Sequence, residues 1–179
     1  DGTEIAAHSV VLATGVAYRS LAAPGVAELT GRGVYYGSAA TEAPACVDQD
    51  VYIVGGANSA GQAAVFFSRY AKAVTLLVRG PSLEASMSHY LIRQLDAIDN
   101  VTVRTGTQVC EARGDGHLQE LVLAGPEGTE TVSAAALFVF IGAAPRTDWL
   151  DGVVERDERG FVRTGPDLVV GGQPPAGWP

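Results

Sequence analysis

The chain is poor in charged side chains, and basic residues are the scarcer kind. Of 179 residues only 18% are Asp, Glu, Lys or Arg, and 12 Lys and Arg stand against 20 Asp and Glu, which gives a net charge of −8. Nucleic acids and anionic membrane surfaces attract proteins through basic patches, so this balance excludes both as the main partner. Long apolar runs are missing as well, because none approaches the ~18 residues that indicate a membrane-spanning helix.

Cysteine is almost absent. Cys46 and Cys110 stand 64 positions apart, and neither belongs to a Cys-x-x-Cys pair. This spacing excludes a disulfide framework and a zinc knuckle. We therefore expect two reduced structural thiols in a cytoplasmic protein. No acidic pair, metal-ligand spacing or Ser/His arrangement stands out, so we expect neither a metal site nor a catalytic side chain.

Apolar residues and glycine, in contrast, are abundant. The 47% hydrophobic content excludes a disordered chain. Val51 to Val54 and Val74 to Val78 are short apolar runs typical of strands buried on both faces. Between them, a glycine turn precedes small and aromatic residues at helical spacing. The pattern predicts a βαβ crossover, in which the two strands are parallel.

A second helix and a third parallel strand follow in the sequence. Val101 to Arg104 predicts the strand, and Ser86 is the expected N-cap of the helix before it. The apolar stripe expected on this helix comprises Tyr90, Leu91, Gln94, Leu95 and Ile98.

Several other segments are expected to be extended. Val10 to Ala13 and Ala135 to Ile141 are apolar runs that predict strands buried on both faces, and Gly31 to Tyr36 predicts a short extended piece. From Thr107 to Val132, glycine turns and a period near two predict a small antiparallel meander. The expected fold class is α/β, a Rossmann-like parallel sheet with a βαβ crossover and this meander.

The turn after Val54 points to a bound dinucleotide. It reads Gly55, Gly56, Ala57, Asn58, Ser59, Ala60, close to the G-x-G-x-x-G/A fingerprint in which glycines admit a pyrophosphate to a helix N-terminus. Ala57 replaces the middle glycine and narrows the space for the pyrophosphate. The alternative is a tight strand-to-helix turn with no ligand.

Arg79 lies at the end of the second predicted strand, where an acidic residue would favour NAD and an arginine suits the 2′-phosphate of NADP. No Asp or Glu occurs until Glu84. We therefore expect NADPH rather than NADH, with Arg93 as a further source of charge. The alternative is that Arg79 is a solvated arginine at a strand end.

The order of these motifs resembles one family. Ala13-Thr14-Gly15, the glycine turn, Arg79 and the segment from Ile141 to Thr147 follow one another as in the low-molecular-weight thioredoxin reductases and their ferredoxin–NADP reductase relatives. The resemblance implies an FAD domain interrupted by an NADPH domain, with Ala13, Thr14, Gly15 and Gly142 on the FAD side. The implied domains are residues 1–26 (end of a first FAD segment), 27–138 (NAD(P)H-binding) and 139–179 (start of the returning FAD segment).

The resemblance also implies a piece of a longer chain. The sequence opens on Asp1 without Met and closes on Gln173 to Pro179, which completes no predicted element. The implied activity is that of a flavoprotein that moves hydride from NADPH to FAD and on to an unknown acceptor. The implied partners are a redox protein and a second copy in a homodimer. The isolated piece is expected to be inactive, and the alternative is a non-catalytic dinucleotide-binding module.

The sequence departs from thioredoxin reductases at their dithiol. Gly37 and Ala40 stand where the resemblance places the two cysteines, so a redox pair cannot form there. Cys46 is near but single, and a structural thiol is the expected role over a thiol relay.

Overall fold

The computed structural model describes residues 2–37, 40–169 and 173. Contacts between Cα atoms divide it into two units, Ser20–Gly142 and the described residues of Asp1–Arg19 with Ala143–Pro179. In chain order the strands are β1 Val16–Tyr18, β2 Val34–Tyr36, β3 Asp50–Val54, β4 Ala73–Val78, β5 Val101–Thr105, β6 Gln108–Arg113, β7 Glu120–Gly125, β8 Gly128–Ser133, β9 Ala136–Val139 and β10 Ala143–Pro145. The α-helices are α1 Asn58–Phe67 and α2 His89–Asp96, and short 3₁₀ helices cover Ala43–Cys46, Asp148–Leu150 and Gly165–Leu168.

A five-stranded sheet forms the centre of the unit Ser20–Gly142. Its strand order is β2-β9-β3-β4-β5, and every neighbouring pair is parallel. The sheet confirms the α/β class and the βαβ crossover predicted from the apolar runs, with Val51 opposite Val74 in the β3–β4 register. Parallel strands of this kind are covered on both faces, which explains why the runs are continuously apolar.

One face of the sheet is covered by the two helices. Ile53, Leu76 and Phe138 point to this side and are fully buried with residues of α1 and α2. Phe67 of α1 stacks on Phe138 at a ring-centroid distance of 4.2 Å. Small residues on α1 bring the helices close, since a Cβ at Gly61 would lie 2.6 Å from Leu91 Cδ2.

The opposite face is covered by the predicted meander, β6-β7-β8, whose neighbouring pairs are antiparallel. Tyr52, Leu77 and Leu137 alternate in sequence with the residues that face the helices, and they pack against Leu121 and Leu123 of the meander. The sheet therefore lies between a helical layer and a β layer, and both core clusters belong to the unit Ser20–Gly142.

The other unit is built on a short antiparallel pair. β1 pairs with β10 so that Val16 is opposite Pro145. In the loop that follows, the Arg156 guanidinium donates to the Thr147 carbonyl oxygen at 2.9 Å and to the Asp151 carboxylate at 2.8 Å. Leu150 and Thr147 are the buried side chains of this loop among the described residues.

Three expectations about local structure are wrong. Val10 to Ala13 forms no strand, and Val10 and Val11 are 77% and 87% exposed, because this run has no ladder partner among the described residues. Ser86 does not cap α2, which begins at His89 with Ser88 as its N-cap. Tyr90 leaves the predicted stripe and is 69% exposed, whereas Leu91 and Leu95 are buried. Of the closing residues, 174–179 lie outside the described part.

Candidate nucleotide-binding site

Gly55 makes the turn after β3 sterically specific. Its backbone φ is +151°, in a region that side chains rarely adopt. A Cβ built there would lie 2.6 Å from the Phe140 carbonyl oxygen and 2.8 Å from Ala60 Cβ. The Gly55 N–H donates to the Leu77 carbonyl oxygen at 3.0 Å. Glycine is therefore required for the chain to leave the sheet and enter α1 at this point.

The next residues present backbone donors. Ala57 is the N-cap of α1 and makes no side-chain cap hydrogen bond, while its carbonyl oxygen accepts from Ala60 N–H at 3.0 Å and Gly61 N–H at 3.2 Å. The N–H groups of Gly56 and Ala57 have no acceptor among residues 2–37, 40–169 and 173. Uncommitted N–H groups at the positive end of a helix dipole favour an anion.

Some residues of the fingerprint are buried and support α1, and the others are exposed and accessible to a ligand. Gly55 is buried and Ala60 fully so, whereas Ala57, Asn58 and Ser59 are exposed and Gly56 is partly exposed. The buried pair holds α1 against the sheet. The exposed residues are the part of the turn that a ligand can reach, and the Ala57 methyl group stands among them.

Arg79 follows β4 directly and is exposed. Because β3 and β4 are parallel and Val54 pairs with Leu77, the glycine turn and Arg79 leave the same edge of the sheet. The backbone beside Arg79 is held by two hydrogen bonds, from Gly106 N–H to the Gly80 carbonyl oxygen at 2.9 Å and from Thr107 N–H to the Val78 carbonyl oxygen at 3.0 Å. In the described part of the chain, Arg79 forms no salt bridge. Its guanidinium is available to an anionic ligand.

Arg93, the other basic candidate, is exposed in the last turn of α2. Arg79, by comparison, lies at the strand edge from which the glycine turn also leaves. The two arginines therefore lie on different elements, Arg79 directly after β4 and Arg93 on α2.

Sequence reasoning missed two hydrogen bonds between the loop after β4 and the glycine turn. The Ser86 hydroxyl donates to the Gly56 carbonyl oxygen at 2.6 Å, and Ser88 N–H donates to Asn58 Oδ1 at 2.8 Å. Each bond joins residues thirty positions apart, so no local pattern could have indicated them. Ser86, expected as a helix cap, instead contacts the turn.

The residues assigned to the FAD side are far less enclosed. Ala13 and Gly15 are exposed and Thr14 is partly exposed. Gly15 has φ +72° and open space where a Cβ would stand, and its carbonyl oxygen accepts from Arg146 N–H at 3.1 Å. Gly142, with φ +97°, is exposed at the end of the unit Ser20–Gly142.

Comparison with known proteins decides the family. The model of the family described as pyridine nucleotide-disulphide oxidoreductase matches residues 1–170. The chain belongs to this family. It is 30% identical over 173 residues to a thioredoxin reductase of Peptoclostridium litorale, covering 92% of this chain and 54% of that protein.

Two further similarities agree. An NADH dehydrogenase of Ferdinandcohnia aciditolerans is 33% identical over 164 residues, with 90% of this chain and 31% of that protein covered. The crystal structure of thioredoxin reductase from Streptococcus pyogenes MGAS5005 superposes with a TM-score of 0.75 at 26% identity, over 87% of this chain and 51% of that one. These matches confirm the resemblance inferred from the motif order. The chain spans between a third and about half the length of these relatives.

Cys46 of this family member is poorly placed for thiol exchange. Cys46 is 2% exposed, and burial, assisted by the nearby Glu42 carboxylate, raises the pKa of its thiol to about 11. A thiol with such a pKa carries little of the reactive thiolate near pH 7. Gly37 is buried at the end of β2 and Ala40 is exposed, while Ser38 and Ala39 between them lie outside the described residues. The buried Cys46 has the character of a structural thiol.

None of the helices formed by the described residues has the length and apolar character needed to cross a membrane.

Proposed function

We propose that this chain binds NADPH at the glycine turn and Arg79, and that the whole protein is a flavin-dependent oxidoreductase. The observation that carries the proposal is the pair of uncommitted N–H groups at Gly56 and Ala57, at the N-terminus of a helix whose approach Gly55 makes possible. Such a turn fits a pyrophosphate. Membership in the pyridine nucleotide-disulphide oxidoreductase family supports the same ligand class.

The preference for NADPH rests on Arg79. The guanidinium is exposed, forms no salt bridge among the described residues and follows the strand next to β3. A 2′-phosphate offers it a charge-assisted, bidentate hydrogen-bonding partner that the 2′-hydroxyl of NADH cannot supply. The turn would bind the pyrophosphate, which the two nucleotides share. Arg79 would bind the 2′-phosphate, which only NADPH carries.

When bound, NADPH supplies a hydride, and the protein's part is binding and orientation. Gly56 and Ala57 would donate their N–H groups to the pyrophosphate, and the α1 dipole would favour its negative charge. Ala60 and Gly55 hold the helix at the sheet so that these donors keep their direction. No side chain of the described residues is assigned a catalytic role.

FAD is proposed for the whole protein. Support comes from the Ala13-Thr14-Gly15 and Gly142 motifs and from the family match over residues 1–170. These positions are exposed or partly exposed, and none of them is assigned a part in the flavin chemistry. The domain assignment proposed accordingly is 27–138 for NAD(P)H, with 1–26 and 139–179 as FAD segments.

The electron acceptor proposed is a redox protein, reached without a dithiol at positions 37 and 40. The named thioredoxin reductase relatives support an acceptor of this class. Because a glycine and an alanine occupy those two positions, no dithiol can form there. A homodimer and a cytoplasmic location are further proposals. The chain by itself is proposed to bind nucleotide without turnover, since it spans only part of its relatives.

Calorimetry with NADPH and NADH tests the nucleotide site. The unmodified chain is expected to bind NADPH more tightly, and Arg79→Glu is expected to reverse that order by replacing attraction with repulsion at the 2′-phosphate. Arg69→Glu is the matched control, because Arg69 is exposed just beyond the far end of α1, a helix of ten residues and therefore ~15 Å long. Equal affinities for the two nucleotides, or reversal by Arg69→Glu, would contradict the assignment.

The oxidoreductase proposal is tested on the whole protein. NADPH oxidation is measured with thioredoxin, ferredoxin and quinone acceptors in parallel, and the purified protein is examined for flavin absorbance. We expect flavin and turnover with at least one acceptor. A whole protein that neither contains nor takes up FAD would contradict the flavoenzyme proposal while leaving nucleotide binding by this chain intact.

A further inference from the structure

The loop between β4 and α2 is fastened to the glycine turn at two points. Ser86 Oγ donates to the Gly56 carbonyl oxygen at 2.6 Å, and Ser88 N–H donates to Asn58 Oδ1 at 2.8 Å. The first bond holds the turn and the second holds the first residue of α1. We call these two hydrogen bonds the serine clamp.

The hydrogen bond from Ser86 fixes the orientation of the whole peptide unit between Gly56 and Ala57. The C=O and N–H groups of one trans peptide unit point in opposite directions, and the described chain contains no cis peptide bond. With the Gly56 carbonyl turned toward Ser86, the N–H of Ala57 is turned away from it. That N–H has no acceptor among the described residues. Ser86 therefore sets the direction of a donor left for a ligand.

The loop itself does not depend on Ser86 for its place. Met87 is 4% exposed and packs beside Gly61 of α1, where its Cε would lie 2.8 Å from a Cβ at that glycine. Leu83, on the other side of Ser86, is also buried in the helical layer. Ser86 is exposed. Apolar burial holds the loop, so the Ser86 hydroxyl is available to orient the turn.

We propose that Ser86 is a positioning residue for the dinucleotide, acting through the Gly56–Ala57 peptide unit. The inference rests on the proposed nucleotide site and adds a residue to it. Because the oriented N–H faces the pyrophosphate, which NADPH and NADH share, Ser86 acts on both nucleotides alike. Arg79, in contrast, acts on the difference between them.

The experiment is calorimetry of the chain and three variants with NADPH and with NADH, accompanied by thermal unfolding. Ser86→Ala removes the hydroxyl, Ser86→Thr keeps it, and Ser82→Ala is the matched control, an exposed serine of the same loop. Loss of one hydrogen bond corresponds to about 0.5–1.5 kcal/mol, so Ser86→Ala is expected to weaken both nucleotides by about two- to tenfold. The ratio of the two affinities is expected to stay unchanged. Ser86→Thr is expected to restore binding, and Ser82→Ala is expected to bind both nucleotides as tightly as the unmodified chain does.

The possible results distinguish the positioning role of Ser86 from the proposed nucleotide site on which it rests. If the unmodified chain binds neither nucleotide, the proposed site is wrong and the positioning role falls with it. If the chain binds but Ser86→Ala matches it, or Ser86→Thr fails to restore the loss, only the positioning role is overturned. A Ser86→Ala loss confined to NADPH would also overturn it, because the effect would then lie at the 2′-phosphate.

Discussion

Ala57 combines two properties that one substitution can separate. It is the exposed N-cap of α1 without a side-chain cap, and its N–H belongs to the proposed pyrophosphate site. Aspartate is among the best N-cap residues and contributes roughly 0.5–2 kcal/mol over alanine. It also places a negative charge where a pyrophosphate would bind, and two unit charges 4 Å apart repel by about 1 kcal/mol even in water.

We therefore predict that Ala57→Asp raises stability while lowering NADPH affinity about fivefold or more. Urea unfolding measures the first effect and calorimetry the second. Ala57→Asn is the control, since it supplies the cap without the charge and is expected to gain stability with much less loss of affinity. An Ala57→Asp chain that binds NADPH as well as the unmodified one would place the pyrophosphate elsewhere.

Cys46 makes the stability of the fold depend on pH in the alkaline range. Its pKa is raised from 9.0 to about 11 by burial and by the Glu42 carboxylate. Between these values the folded chain keeps the thiol proton that the unfolded chain has lost, so the unfolded state binds fewer protons and stability falls as pH rises. The stabilising contribution is complete up to about pH 8.5 and is lost toward pH 11, about 3 kcal/mol in all.

The measurement is the free energy of unfolding of the chain and of Cys46→Ala from pH 7 to pH 11. The difference between the two is predicted to be constant up to about pH 8.5 and to shrink above it. Tyr52, whose pKa is also raised, chiefly by burial, titrates in the same direction but is present in both proteins. A difference that stays constant to pH 11 would show that Cys46 is not shielded as the structure has it.

Close packing of α1 on α2 depends on Gly61. A Cβ there would lie 2.6 Å from Leu91 Cδ2 and 2.9 Å from Met87 Sδ. Overpacking a buried site costs about 1–3 kcal/mol. We predict that Gly61→Val lowers the free energy of unfolding by about that amount, although valine is the better helix former.

Gln62→Val is the matched control for this prediction. Gln62 is the next residue of α1 and is exposed, so its replacement tests helix propensity without the contact and is expected to change stability by about 0.5 kcal/mol or less. Both are measured by urea unfolding. If Gly61→Val is as stable as the unmodified chain, the two helices are not as close as described.

The elements that the sequence predicted well are those with local causes. The β3-turn-α1-β4 unit combines apolar runs, a glycine that alone tolerates its φ, and small residues at helical spacing, and each of these is readable within thirty residues. The strand expected at Val10 to Ala13 failed for a physical reason. An apolar run indicates a tendency to be buried, but a strand also needs a partner, and no sequence pattern shows whether the chain supplies one.

The site could be predicted only in part for the same reason. The glycine turn and Arg79 were indicated by a motif and a spacing. The serine clamp was not, because Ser86 and Ser88 both precede a helix and either could cap it. Which of them caps and which reaches Gly56 is decided by the packing of Met87 and Leu83 against the helical layer.

The apolar residues are unequally distributed between the two units. Both buried core clusters and the proposed nucleotide site lie within Ser20–Gly142. The other unit instead exposes large apolar side chains, with Val11 at 87%, Ile5 at 86% and Val153 at 72%. Exposed apolar groups of this kind favour association with other surfaces.

We predict that a polypeptide of residues 20–142 folds alone and binds NADPH within about threefold of the full 179-residue chain, since it keeps a whole core and falls in the usual size range of domains. Circular dichroism during urea unfolding should show one cooperative transition, and calorimetry should give the affinity. Arg79→Glu in the shorter polypeptide is the control and should favour NADH as it does in the full chain. A shorter polypeptide that folds cooperatively but loses NADPH would show that residues outside 20–142 contribute to the site, whereas one without a cooperative transition would show that the two clusters are not an independent core.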